Sequence, residues 1–269
     1  MVSAFASVAR ELLFNSDRSD EVIARILHRF HMPPSTMVGF AALLKGADAL
    51  ELAGVGRHLR LAVMTAYTQT WFTVQGCDDP CVSRRGTKAG DPLGDITFTL
   101  VVTRVLNEYA QRARAHGISV KLRRSPQEPC LAQPSADTDD IDLADDSYLD
   151  DALFLTTAPS PTQLLRQVGE QIRIVVAVFS SFALQLNFKP GKTEIAVVFH
   201  GKGAREARRQ VCSTGSISVQ LDDGTNVAVG VVHQYKHMGG ISDPSCRMRP
   251  EMTARVRHAT DSFKTLRPK

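Results

Sequence analysis

Two adjacent aspartates, Asp150 and Asp151, interrupt an otherwise apolar and aromatic stretch, Tyr148-Leu149-Asp150-Asp151-Ala152-Leu153-Phe154-Leu155. Left unpaired in such a segment the two carboxylates are expensive, and the pair is read at the tip of a hairpin. Adjacent carboxylates repel unless a cation neutralises them, and hard Mg²⁺ takes such oxygens. Taken alone, Asp-Asp also reads as an ordinary solvated turn.

The rest of the chain predicts the elements around that hairpin. Asp20 opens a helix with apolar Val22, Ile23, Ile26, Leu27 and Phe30, stopped by Pro33-Pro34, and further helices fit Val38 to Leu44 and Gly56 to Tyr67. Thr70 to Val74 reads as a strand, joined through Cys-Asp-Asp-Pro to a second near Val82. Asp91-Pro92 opens a helix as N-cap and N1, followed by Ile96, Leu100, Val101, Val105, Leu106 and Tyr109 and ended by Gly117. Thr162 to Ala183 has helical spacing, with Leu164, Leu165, Val168, Ile172, Val175, Val176 and Phe179 opposite Arg166, Gln167, Glu170 and Arg173. Strands fit Ala152 to Thr156, Leu184 to Phe188, Ile195 to Phe199, Ile217 to Leu221 and Asn226 to Val231. This order predicts an α+β fold with helices packed on one face of a sheet. Arg124 to Asp146, rich in Pro, Ser, Gln and Asp, is too polar to pack and reads as an insertion loop.

With 269 residues, 43% hydrophobic and 22% charged, the chain can bury a sizeable core, which excludes disorder, collagen and coiled coil. Its longest charge-free run, Ile174 to Phe188, is too short for the roughly 20 apolar residues of a membrane helix. Five scattered cysteines and an N-terminus without a signal-like pattern suggest a reducing compartment, nuclear or cytoplasmic. The net charge of +4 conceals segregation by sign: aspartates crowd Asp137 to Asp151, while Arg247 to Lys269 is basic. An acidic focus with a basic rim suits a polyanion plus a metal.

Three further segments stand in order around the aspartate pair. Arg85-Gly86-Thr87-Lys88-Ala89-Gly90-Asp91-Pro92-Leu93 precedes it, Leu186-Asn187-Phe188-Lys189-Pro190-Gly191-Lys192-Thr193-Glu194 follows, and then comes Tyr235-Lys236-His237-Met238-Gly239-Gly240-Ile241. This series resembles the reverse transcriptase (RNA-directed DNA polymerase) domain of non-LTR retrotransposons and group II intron proteins. Their motifs run R-Q-G-D-P-L, aromatic-x-D-D, N-x-x-K-T and K-x-L-G, and the likeness extends from about Ser3 to Ile241.

The resemblance implies right-hand polymerase fingers and palm, the palm being a ferredoxin-like sheet with packed helices. It implies fingers and first palm elements in 1–117, an acidic insertion in 118–147, the palm in 148–246 and the start of a basic thumb in 247–269. Asp150 and Asp151 become the catalytic, metal-binding carboxylates of a two-metal nucleotidyl transfer using two Mg²⁺, or Mn²⁺. Phe5, Lys88, Gly90, Asp91 and Lys192 fall at nucleotide-binding positions, and Tyr148, Lys236 and Gly239 at primer-binding ones. The implied partners are an RNA template, a DNA primer and dNTPs, with a neighbouring endonuclease domain in a longer polyprotein and no membrane. On the residues alone, Asp91-Pro92 also reads as a well-capped helix start, Lys192 as a surface lysine and the tail as a solvated basic helix.

Three departures accompany the resemblance. Ala89 stands where the family has Gln, and Lys88 where it has Arg. The family's third carboxylate lies five residues before an aromatic that Phe5 matches, a position immediately before Met1, and Ala6 replaces the acidic residue common after that aromatic. The expectation is therefore a reverse-transcriptase region truncated at its first metal-binding motif and in the thumb, with impaired metal chemistry. A catalytically inactive polymerase-like RNA-binding scaffold, or a decayed retrotransposon copy, is the alternative. Gly191-Lys192-Thr193 is not a P-loop, because Leu186 occupies the required glycine and Pro190 intrudes. Neither Cys77/Cys81 nor His233/His237 is followed by a second ligand pair at zinc-finger spacing.

Overall fold

The computed structural model describes residues 4–15, 17–30, 32–73, 75–76, 78–87, 91–123, 140–148, 151–237, 240–243, 245 and 247–266. In chain order its helices are α1 (Ala4–Ser7), α2 (Asp20–Phe30), α3 (Pro34–Lys45), α4 (Ala49–Leu52), α5 (Arg57–Tyr67), α6 (Pro92–Ala115), α7 (Pro161–Ser181), α8 (Ala204–Thr214) and α9 (Arg249–Leu266), with a 3₁₀ turn at Arg10–Leu12. Its strands are β1 (Trp71–Phe72), β2 (Cys81–Val82), β3 (Val120–Arg123), β4 (Asp140–Leu143), β5 (Asp145–Tyr148), β6 (Asp151–Phe154), β7 (Glu194–Ala196), β8 (Ser216–Gln220), β9 (Asn226–Val232), β10 (Tyr235–His237) and β11 (Gly240–Ser242). The chain is α+β, divided into two compact units: residues 1–157 with 170–186, and 158–169 with 187–269.

Local chemistry sets the helix ends of the first unit. In α6 the Asp91 carboxylate accepts from the Leu93 N–H at 2.9 Å, and Pro92 supplies a preset φ where no donor is needed. The helix ends at Gly117, whose φ of +67° suits glycine. Asp20 and Glu21 in the first turn of α2, with His28 and Arg29 in its last, complement the helix dipole. Pro34 ends the reach of α2 and starts α3.

The core of this unit forms around α6. Phe98, Val101, Val105 and Tyr109 bury one face of that helix, and they pack with Phe40 and Leu44 of α3 and with Val178, Phe179 and Phe182 at the end of α7. Each such side chain contributes about 1.5–3 kcal/mol by leaving water. Ile96, although apolar, lies on the exposed side of α6.

Strand pairing among the described residues gives small sheets: antiparallel pairs β1–β2, β3–β4, β5–β6 and β10–β11, and a three-stranded sheet β7–β9–β8 with β7 parallel to β9. A single ferredoxin-like sheet is not assembled from these strands. Two expectations change. Asp140–Leu143 pairs in register with Val120–Arg123, and Asp145–Asp146 lies in β5, so the end of the expected insertion loop is strand. Leu143 is half-buried where its neighbour Asp142 is exposed, the alternation of a strand. Leu184 to Phe188 joins no ladder among the described residues: Ala183, at φ +57°, turns the chain out of α7, and the Leu184 N–H bonds back to the Phe179 carbonyl at 2.9 Å.

In the second unit, Val211 and Ala207 of α8 pack with Phe199, joined by Leu164, Leu165 and Val231. No helix among the described residues is long and apolar enough to cross a membrane.

Candidate active site

Asp151, the second of the aspartate pair, belongs to the β5–β6 hairpin. Its register pairs Ser147 with Ala152 and Tyr148 with Asp151, leaving a two-residue connection, 149–150. Asp150 lies outside the described residues, as does the Tyr148 side chain. Asp151 is exposed at the first position of β6.

The inner face of the hairpin is anchored by aromatics. Phe154 meets Tyr109 edge-on at 4.5 Å between centroids and Phe179 at 6.2 Å. Gln171, buried on α7, donates from Nε2 to the Tyr109 hydroxyl at 2.9 Å and to the Leu155 carbonyl at 3.1 Å, tying the end of the hairpin to two helices. Burial pushes the Tyr109 phenol up to about 12, with the Asp145 charge adding to the shift and the Gln171 bond opposing it. Asp145, paired with Phe154 across the ladder, is also raised, first by desolvation and then by repulsion from Asp146. Strand alternation sets Asp146 on the opposite, exposed face, the face that also carries Asp151. Period-two spacing through the aspartate run is the signal that distinguishes these faces.

A second part of the site joins the N-terminus to the loop before α6. Phe5 stacks on Phe98, 4.2 Å between centroids and 21° from parallel. The Thr87 N–H donates to the Phe5 carbonyl and the Gly86 N–H to the Val8 carbonyl, both at 2.8 Å. Gly86 has φ +77°, and a Cβ there would lie 2.6 Å from Ala6 Cα, so only glycine permits this approach. The structure thus brings Phe5 to the segment leading into Asp91. Lys88 and Gly90 lie outside the described residues. Asp91 itself is engaged as the cap of α6.

Arg10 locks this junction, and the motif pattern in the sequence gives it no role. Its guanidinium, in a residue 7% exposed, donates to the carbonyls of Gly86 (2.8 Å), Tyr67 (2.8 Å) and Ser83 (2.9 Å) and to the hydroxyls of Thr70 and Ser83 (3.0 Å each). Desolvation lowers its pKa. A basic residue beside Glu11, between the apolar pairs Val8-Ala9 and Leu12-Leu13, is the available signal.

Lys192 lies in the second unit, exposed on a self-capped turn. The Gly191 N–H donates to the Glu194 carboxylate at 2.7 Å, and the Thr193 N–H to the Asn187 carbonyl at 3.0 Å. The Tyr235 hydroxyl donates to the Lys192 carbonyl at 2.9 Å, which joins this turn to strand β10, where Lys236 pairs with Ile241. The Lys236 side chain and Gly239 lie outside the described residues.

An exposed carboxylate at a hairpin tip has the donor chemistry a hard divalent cation takes, and Asp151 supplies one. Among the described residues no three His, Cys, Asp or Glu side chains form a metal-sized group. Comparison with known proteins returns no matching family model, no matching curated protein and no matching solved structure.

Proposed function

We propose that this chain is a polymerase region of the reverse-transcriptase type, acting in template-directed DNA synthesis on an RNA template with a DNA primer and dNTPs. The observation that carries the reading is the hairpin register, with Tyr148 opposite Asp151 across a two-residue connection that includes Asp150. That register suits presentation of consecutive carboxylates at one tip, on a hairpin whose Phe154 packs against Tyr109.

Asp150 and Asp151 would hold the divalent cations, which supply charge neutralisation and a more acidic primer hydroxyl when bound. In the transfer, the primer 3′-oxygen bonds to the α-phosphorus, the bond from that phosphorus to the bridging oxygen breaks, and pyrophosphate leaves. Phe5, held against Phe98, would floor the sugar site. Within the first unit, Lys88 would neutralise the triphosphate, Gly90 would allow close approach of the backbone, and Tyr148 would serve the primer. Asp91 contributes by fixing the start of α6.

Primer extension on an RNA template with dNTPs and Mg²⁺ or Mn²⁺ tests this reading, using the chain, a version lengthened at its N-terminus by an Asp-bearing strand, and Asp150→Ala/Asp151→Ala controls of both. Extension that depends on Asp150 and Asp151 is expected. Absence of extension from a folded, lengthened protein that still binds RNA would replace the reading with an inactive RNA-binding scaffold.

A further inference from the structure

The two units differ sharply in charge. The second carries fifteen Lys and Arg against seven Asp and Glu, a net +8, leaving the first with seventeen against twenty-one, a net −4. The excess includes a concentrated patch at α8, which begins after Gly201-Lys202-Gly203 and continues Ala204-Arg205-Glu206-Ala207-Arg208-Arg209.

Ala207 and Val211 bury the inner face of α8, so helical spacing puts Arg205, Arg208 and Arg209 on the outside, where all three are exposed, as is Lys202 in the preceding turn. Among the described residues these four cations form no ion pair, and the Arg208 guanidinium donates to the Phe199 carbonyl at 3.3 Å. Elsewhere the chain pairs several helix-borne cations, as in Arg60 with Asp48, Arg112 with Glu108, Arg173 with Glu170 and Arg255 with Glu251.

Arginines spaced three and four apart repel one another along a helix. Such a face therefore favours a polyanion, which relieves the repulsion and releases counterions when it binds. We propose that the Lys202, Arg205, Arg208 and Arg209 face of α8 is a docking surface for the phosphate backbone of single-stranded RNA. The choice of RNA rests on the polymerase reading, whereas the cationic face stands on charge and exposure alone. Contacts of this kind read phosphates and not bases, so binding is expected to be insensitive to sequence and strongly dependent on salt.

The test is fluorescence anisotropy of the full chain with labelled single-stranded RNA across a salt series. Arg205→Gln/Arg209→Gln should weaken binding and reduce the slope of log affinity against log salt by about 1.4, at about 0.7 for each phosphate no longer neutralised. Lys202→Gln, outside the helix, should reduce it by about 0.7 and guards against misfolding of the double variant, which circular dichroism also checks. Arg112→Gln, on the first unit, should bind as wild type. An unchanged slope in both α8-region variants, or no RNA binding by the wild type at low salt, overturns the proposal. Competition by polyglutamate as effective per charge as by RNA also overturns it, reassigning the face to an acidic protein. Asp150→Ala/Asp151→Ala should still bind, so failure of catalysis and failure of this surface give different results.

Discussion

The guanidinium of Arg10 donates to the carbonyl of Gly86 at 2.8 Å, across 76 residues of chain. The same side chain bonds the end of α5 and the base of the β1–β2 hairpin, so a single buried cation gathers these two elements and Gly86 around it. Its planar fork satisfies several acceptors at once, which an ammonium on a flexible stem does not.

Replacing Arg10 should therefore be among the costliest single changes in the first unit. Arg10→Met strands buried carbonyls and is expected to lower stability by about 3 kcal/mol, with Arg10→Lys recovering only a minor part. Urea denaturation reads both, and a loss below about 1 kcal/mol for Arg10→Met would show that water replaces these bonds.

Gly86 and Gly54 separate backbone strain from steric conflict. Both have positive φ, +77° and +71°, but a Cβ on Gly54 meets nothing within 4 Å, whereas one on Gly86 meets Ala6 Cα at 2.6 Å and the Phe5 carbonyl oxygen at 2.7 Å. Gly54→Ala should cost about 1 kcal/mol and Gly86→Ala about 3 kcal/mol or more, read by urea denaturation. Equal losses would mean that the Phe5 segment moves aside without penalty.

Asp91 can be tested as a cap independently of any nucleotide. Asp91→Ala is expected to cost about 1 kcal/mol and Asp91→Ser to recover most of it, since serine also accepts from the helix N-terminus. Should Asp91→Ser restore stability but abolish primer extension, the carboxylate has a second role beyond the cap.

The Tyr109 and Asp145 shifts predict two pH effects of the same sign. An acid whose folded pKa is raised binds more protons folded than unfolded, so stability falls as pH rises from the unfolded pKa through the folded one. For Tyr109, stability should fall between about 10, the ordinary phenol value, and about 12. Ultraviolet titration of the four tyrosines should show a late-ionising one that is absent in Tyr109→Phe. For Asp145 the loss begins at the ordinary carboxylate pKa and is complete above its raised one. Asp145→Asn should accordingly be more stable than wild type at neutral pH, by less than about 1 kcal/mol given its partial exposure. Lower stability at pH 7 would show that the carboxylate makes a needed interaction.

The helices α2, α3, α5, α6 and α7 were legible in the amino-acid sequence because their determinants are local, whereas α8, rich in arginine and short of apolar residues, was not. Asp91, Pro92 and Gly117 bracket α6, Pro33-Pro34 divides α2 from α3, and the apolar spacing of Leu164 to Phe179 outweighs the β-branched residues of α7. The β5–β6 hairpin was only half legible: the apolar run from Ala152 predicts β6, whereas Asp145 and Asp146 give β5 the composition of a loop. The tertiary structure alone decided what depends on distant partners. Nothing near Arg10 in sequence reveals that Tyr67, Thr70, Ser83 and Gly86 converge on it. Pairing of Asp140–Leu143 with Val120–Arg123, and the approach of Gly86 to Phe5, likewise depend on which surfaces meet after collapse. Helix periods and caps act within a few residues, but a buried cation, a ladder register and a glycine contact acquire meaning only from groups that folding brings together.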